Sequence, residues 1–307
     1  MLNIHFPIMS TMSHTRTTAR LRGLGIGLAL AALVLPVASA QAASKPKPKP
    51  VPTDKVLVIV IENHALAQIR KEAPYTYALG TKYGLGTNMQ AITHPSKPNY
   101  AIITMGETRG LTSDSGKTTK GPTVFGATIK AGRTAKIMAE AMGTDRCRTD
   151  TASKYVPRHN PWTYNTEEKA LCESQDFSYD TYGASDIAAG KLGNVEMLIP
   201  NQCNNAHDCS LGTFDNWMKT TWARIIAGPD WKANRLTVVI TADEDDRKHG
   251  NVIPLIVANP YLSHKVVTSK LTLYSLNRLL TDFGHAPRMA GGKTAPDMAK
   301  AFGLQIG

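Results

Sequence analysis

The stretch KVLVIVIENH, residues 55–64, opens the readable part of the chain: six consecutive aliphatic residues, five of them β-branched, run directly into Glu62-Asn63-His64. An unbroken apolar run of this length, without polar alternation, is the pattern of a strand buried on both faces of a parallel sheet. LTVVIT (236–241) and IPLIVA (253–258) repeat it, and 194–199 is a shorter strand candidate. Helical spacing predicts helices over 98–105 (starting near Lys97), 125–142, 214–226 and 271–283, with Trp217, Trp222 and Ile225 on one face of the third. Strands alternating with helices predict an α/β fold with a mostly parallel central sheet flanked by helices. No internal repeat is visible. Two polar, Gly-containing stretches, 108–121 and 144–161, read as long loops.

The chain has 307 residues, 42% of them hydrophobic and 19% charged, which is globular composition. Its N-terminus reads as an address. Arg16, Arg20 and Arg22 precede a short apolar run at 23–37, and Ala38-Ser39-Ala40 and Ala40-Gln41-Ala42 both offer small-x-small cleavage patterns. A signal peptide is therefore expected over 1–42, followed by an extended Lys/Pro tether over 43–53 (KPKPKP at 45–50) and a folded domain over 54–307. The net charge is +11, and the leader carries three arginines and no acid, leaving +8. That excess suits an anionic partner: a phosphate ester, an acidic lipid or envelope surface, or a nucleic acid. No basic run is interleaved with aromatics, so nucleic acid is not expected as a partner. Export also suits the even set Cys147, Cys172, Cys203 and Cys209. Of three possible pairings the sequence-local one, Cys147 with Cys172 and Cys203 with Cys209, is expected.

Ligands of open α/β sheets bind beyond the carboxyl ends of the strands. Glu62-Asn63 follows the first strand, and Asp243-Glu244-Asp245-Asp246 follows the strand at 236–241. Carboxylates with an Asn carbonyl make a hard anionic pocket for a divalent cation. Thr93-His94-Pro95-Ser96-Lys97-Pro98-Asn99-Tyr100 places Ser96 at a helix start. Ser96 there is either an N-cap or a nucleophile that attacks phosphorus. Asn99, one turn on, could donate to a phosphoryl oxygen. Arg158-His159-Asn160-Pro161 and Cys203–Cys209, which encloses His207-Asp208, add two histidines able to bind phosphate or protonate a leaving group.

These segments resemble a family: the phosphoesterases that include acid phosphatases and bacterial phospholipases C, within the alkaline-phosphatase superfamily. The resemblance rests on VIVIENH (58–64), THPSKPNYAIITMG (93–106), RHNPWTY (158–164), IPNQCNNAHDCS (199–210), LTVVITADEDD (236–246) and LTLYSLNRLL (271–280), colinear over nearly the whole chain after the leader. It implies an alkaline-phosphatase-like fold and a serine nucleophile at Ser96 that also touches the metal. It further implies metal ligands at Glu62, Asn63, Asp243 and Glu244, a transition-state donor at Asn99, and phosphate-binding or proton-donating roles for His159 and His207, with Asp208 as ligand or orienter. Two positions depart from the pattern. Leu273 stands where relatives often carry a His, which points to one divalent metal. Asp245 to Lys248 replace a Gly expected soon after the Asp-Glu pair. The expected function is a secreted, metal-dependent phosphatase acting on monoesters through a phosphoserine. Phospholipases of this family tend to be longer, which ranks a phosphodiesterase or phospholipase C second. A non-catalytic basic binding module is the third reading.

Overall fold

Strand β1 (Lys55–Ile61) is buried at all seven positions and pairs in parallel on both sides, with β5 (Val195–Ile199) and β6 (Leu236–Ala242). The computed structural model describes residues 52–307, so the leader and all of the tether but its last two residues lie outside the description. Around β1 the sheet continues through β3 (Ala135–Ala139) to β4 (Asp176–Ser178) on one side. On the other it runs through β7 (Val252–Ala258) and β2 (Gly84–Gln90) to β8 (Lys265–Val267), and β9 (Leu271–Thr272) also pairs with β2. Of the eight pairings only β2–β7 and β6–β7 are antiparallel. The sheet is thus mostly parallel, as the aliphatic runs predict.

The helices are α1 (Leu66–Glu72), α2 (Pro74–Lys82), α3 (Ser96–Met105), α4 (Val124–Lys130), α5 (Lys169–Gln175), α6 (Ala184–Ala188), α7 (Leu211–Ala227), α8 (Pro229–Lys232), α9 (Leu273–Phe283) and α10 (Met298–Phe302). Among the described residues no helix is long and apolar enough to cross a membrane. Both disulfides pair as expected, Cys147 with Cys172 and Cys203 with Cys209.

Two readings of the sequence change, and one strand is added to them. The helix expected over 125–142 is two elements: α4 stops at Lys130, Gly132 takes a φ of 79°, and Ala135–Ala139 enters the sheet between β4 and β5. The AKIMA segment has helix-forming composition, but a slot between two parallel strands overrides that weak preference. Strand β2 (GLGTNMQ) carries no strand signal because its glycines serve close approach. A Cβ on Gly84 would stand 2.8 Å from the Val257 carbonyl, and one on Gly86 would stand 2.7 Å from Leu255. The last long helix begins at Leu273, because 271–272 pair with β2 first.

One carboxylate ties two of these helices together. Helix α2 has no side-chain cap of its own and starts with Pro74, which has no N–H to satisfy. Asp215 of α7 accepts from the N–H of Tyr75 (3.0 Å) and Thr76 (2.7 Å) and from the Thr76 hydroxyl (2.7 Å). Replacing Asp215 with Ala is expected to lower stability by about 2–3 kcal/mol, because two buried helix-start donors and a hydroxyl lose a charged acceptor. Urea denaturation measures this, and a loss below about 0.5 kcal/mol would show that the cap contributes little.

Candidate active site

The register Ile61↔Ala242 puts the next residues of β1 and β6, Glu62 and Asp243, side by side. The Asp243 N–H donates to the Ile61 carbonyl at 3.3 Å, so the two chains stay paired one residue beyond the strands. Asn63 then turns the chain with a φ of 52°, a conformation Asn tolerates better than most residues. Its N–H donates to Asp243 Oδ1 (3.3 Å).

Helix α3 is buried at all ten positions and points its first turn at this pair. It has no side-chain cap, and the Ser96 hydroxyl instead donates to Glu62 Oε2 (3.1 Å) and lies 3.4 Å from Asn63 Oδ1. That choice of partner separates a site serine from a capping one. Tyr100, one turn on, donates its hydroxyl to Glu62 Oε1. Burial, then the Glu62 charge, holds the Tyr100 phenol well above its ordinary range, so it remains a donor. Asn99 Nδ2 donates to the Thr93 carbonyl (2.7 Å) and reaches Glu244 Oε2 (3.4 Å), while its Oδ1 accepts from the Ile92 and Thr93 amides. Asn99 therefore ties the 92–95 turn to the carboxylates with one amide group.

Glu62, Asp243 and Glu244 are 0%, 0% and 4% exposed. Burial, then the Asp243 charge, raises Glu62 well above the carboxylate range. Burial raises Asp243 too, and burial followed by Asp243 raises Glu244 to about 8. Asp243 Oδ2 is buried without a hydrogen-bond partner. Three clustered acids that ionise only at a cost, with an orphaned oxygen and an Asn carbonyl beside them, are a donor set for a hard divalent cation. Glu62, Asn63, Asp243 and Glu244 fit such an ion, and Ser96 Oγ lies against two of them.

The two predicted histidines arrive from separate loops. His159 is 1% exposed, stacks on Tyr100 (centroids 5.4 Å apart) and sets Nε2 3.4 Å from Glu62 Oε2. Burial first, then Arg158 and His207, lower its pKa well below the usual histidine value. The Glu62 N–H donates to the Asn205 carbonyl (2.9 Å), which docks the 203–209 disulfide loop on the end of β1. His207 then lies 5.8 Å from the His159 ring, with Nδ1 on Asp208 (2.7 Å) and Nε2 beside Arg158 (3.3 Å). Asp208 meets His207, and its side chain is 57% exposed.

The second half of the acidic run does something else. Asp245 Oδ1 accepts from the Arg247 amide, and its Oδ2 accepts from those of His249 and Asn251, all within 2.7–2.9 Å. His249 Nδ1 rests on Asp246 (2.6 Å). Asp245, Asp246 and His249 do offer ligand atoms within 4.8 Å of one another. The Asp245 oxygens, however, are already spent on the turn, which explains why carboxylates stand where a Gly is expected.

The sequence reading passed over Tyr100 and His94. Tyr100 was visible in principle, since positions 96, 99 and 100 share a helix face. His94 was not, because only the folded turn brings its Nδ1 to 3.0 Å from Glu244 Oε2 and its Nε2 to 3.4 Å from Asp245 Oδ1.

The sequence profile of the Phosphoesterase family matches residues 63–282, and the chain belongs to that family. It is 29% identical over 256 residues to a phosphatidylinositol-3-phosphatase of Mycobacterium tuberculosis, covering 81% of this chain and 82% of that protein. It is 27% identical over 169 residues to an acid phosphatase of Aspergillus fumigatus, covering 52% of this chain and 38% of that one. The fold is shared with a protein of the alkaline phosphatase superfamily from Vibrio parahaemolyticus, with a TM-score of 0.57 at 10% identity over 82% of this chain and 72% of that one.

The raised acids set a pH dependence. A carboxyl whose folded pKa is raised stabilises the fold below its unfolded value near 4 and loses that contribution as pH rises through the folded value, about 8 for Glu244. Chelated Ser96→Ala protein is therefore expected to lose Tm between about pH 5 and pH 8.5, and Mn²⁺ or Mg²⁺ to restore more at the higher pH, where no protons need displacing. Asp176 and Glu196, each raised to about 7 by burial, add a background of the same sign. The ion-dependent part is what isolates the site. Equal metal-induced shifts at both pH values, by calorimetry, would contradict a proton-loaded ligand set.

Proposed function

We propose that the protein is a secreted, metal-dependent phosphatase that hydrolyses phosphate monoesters through a phosphoserine at Ser96. The observation that carries this reading is the Ser96 hydroxyl within hydrogen-bond reach of Glu62 and Asn63, beside the buried carboxylates Asp243 and Glu244. Family membership supports the phosphoester hydrolase class. The names of the two curated relatives, a phosphatidylinositol-3-phosphatase and an acid phosphatase, support monoesters over diesters. Export is supported by the arginine-led apolar leader and by four cysteines all joined in disulfides.

In this mechanism Glu62, Asn63, Asp243 and Glu244 would hold one divalent cation, and Ser96 Oγ lies within hydrogen-bond reach of Glu62 and Asn63. When bound, the ion lowers the pKa of the serine hydroxyl and offsets negative charge on the phosphoryl group. The chain supplies the rest. Tyr100 and the strand ends fix Glu62, and Glu62 fixes the Ser96 hydroxyl, so the nucleophile is aimed before substrate arrives. Ser96 Oγ gives its proton to its hydrogen-bond acceptor Glu62 Oε2 and forms a bond to phosphorus as the ester P–O bond breaks, and the departing alkoxide takes a proton. His207, at the rim with Nδ1 on Asp208 and Nε2 beside Arg158, would give that proton in its protonated form. His159, buried and neutral beside Glu62, and the Asn99 N–H that reaches Glu244 Oε2 in the free protein would donate to the phosphoryl oxygens. Water then attacks phosphorus, the Ser96–phosphorus bond breaks, and phosphate leaves with the serine reprotonated.

Ser96→Ala is expected to lower kcat on p-nitrophenyl phosphate by at least about 10³-fold with the fold intact. Chelation should abolish wild-type turnover, and acid quenching should trap a phosphate on the Ser96 peptide. A variant within tenfold of wild type would remove Ser96 as nucleophile, and full activity in chelator would remove the metal.

A further inference from the structure

His159 ends the short turn Pro157–His159, and the next side chain, Asn160, is fully buried. Its Nδ2 donates to Asp176 Oδ2 (2.8 Å) and to the Tyr155 hydroxyl (3.3 Å), and Tyr155 in turn donates to the Arg148 carbonyl (2.7 Å). The Asn160 main chain is equally committed. Its N–H donates to the Pro157 carbonyl (3.0 Å), and its own carbonyl accepts from the amide (3.2 Å) and hydroxyl (2.8 Å) of Thr163. Where His159 stands therefore depends on where Asn160 is held, and Asp176, buried at the start of β4, holds its side chain.

Two oxygens in this pair are left over. Asn160 Oδ1 and Asp176 Oδ1 are both buried and have no hydrogen-bond partner among the described residues. Asn160 has used both of its N–H groups, and a carboxylate has none to give. Orphaned acceptors on two side chains already bonded to each other lack one donor, and a single proton on Asp176 supplies it. Turning the amide over does not remove the need, because its oxygen would then meet Asp176 Oδ2, which only a protonated acid can satisfy. The surroundings agree. Burial raises Asp176 to about 7, against the Asn160 bond, the Cys147 N–H and Arg146, which favour the charge. The Arg146 guanidinium is engaged elsewhere, on the Ser174 carbonyl (2.8 Å) and over the Phe177 ring (4.2 Å). Of the other neighbours, the Tyr155 phenol is raised by burial and then by Asp176, Ile137 of β3 is apolar, and the Cys172 sulfur (4.0 Å) is in its disulfide.

We propose that Asp176 is protonated in the folded protein and is a positioning residue for His159. Its Oδ1–H donates to Asn160 Oδ1 while its Oδ2 accepts the Asn160 N–H, and this two-bond ring holds the turn that carries His159. The effect on turnover rests on His159 facing the phosphoryl group, whereas the protonation does not. Loss of the proton leaves both Oδ1 atoms unpaired, so the ring opens and His159 loses its anchor as pH rises.

The conservative variant Asp176→Asn keeps both bonds of the ring at every pH, because its amide can donate and accept. Infrared difference spectra of wild type against this variant are expected to show a protonated-carboxyl band at about pH 6 that fades as pH rises through about 7. A raised folded pKa gives stability that is present below the unfolded value near 4 and lost through the folded value. Wild type is therefore expected to lose about 3 °C more in Tm than Asp176→Asn between about pH 6 and pH 8.5, while Glu196 and the site acids titrate in both proteins and cancel. Over the same range the His159 ring signals in NMR, identified by their loss in His159→Gln, should shift in wild type and stay fixed in Asp176→Asn. With metal supplied, kcat/KM on p-nitrophenyl phosphate, variant over wild type, should rise from about 1 to about 3 or more. Absence of the infrared band, or equal Tm losses, overturns the protonation. His159 signals that behave alike in both proteins overturn the positioning role, whether or not any ester is hydrolysed. A flat kcat/KM ratio while the His159 signals do differ removes His159 from the reaction and leaves the ring standing.

Discussion

Three carboxyl groups, Glu62, Asp243 and Glu244, are packed out of water around a single serine hydroxyl, and the fold has to hold them there against their own repulsion. Each prefers the protonated form in this environment, and Asp243 contributes to the upward shift of both neighbours. A cluster of this kind persists only where the backbone leaves it no alternative. Two central parallel strands with matched register impose it: β1 and β6 end together, so the next side chain of each enters the same space. The aliphatic strands are buried on both faces, so a slip in register would expose part of the core, and the core thereby maintains the acidic site.

The same logic assembles the rest. Helix α3 delivers Ser96, Asn99 and Tyr100 from one face, each bonded to a different carboxylate oxygen or to the turn before it. The disulfide loop at 203–209 docks through one main-chain bond from Glu62 to Asn205 and carries His207 with it. His159 is pinned by stacking on Tyr100. Ser96, Tyr100, His159 and the disulfide loop therefore all meet at Glu62, while Asn99 meets Glu244.

How much of this was legible follows from what signals a sequence can carry. Continuous aliphatic runs mark strands that are buried on both sides, so β1, β6 and β7 could be read directly. The residues at their ends, Glu62, Asn63, Asp243 and Glu244, follow as neighbours, and the structure does bring them together. Strand β2 escaped because its burial is achieved with glycines, whose value lies in the Val257 and Leu255 groups they let approach. Strand β3 escaped because AKIMA is a helix by composition and a strand only by location. Contacts made across loops, such as His94 to Glu244 and Asp114 to the Lys97 amide, have no fixed spacing and could not be counted out beforehand.

The acidic run shows why composition alone underdetermines chemistry. Asp243, Glu244, Asp245 and Asp246 are consecutive, yet their lone pairs go to opposite uses. Asp245 meets three backbone N–H groups and is thereby satisfied, while Asp243 keeps a buried oxygen with no donor at all. Had Asp245 been absent, the amides of Arg247, His249 and Asn251 would need another acceptor. Asp245 takes those donors, and Asp243 Oδ2 stays without a partner. The charge that looks redundant in the sequence is what keeps its neighbours chemically available.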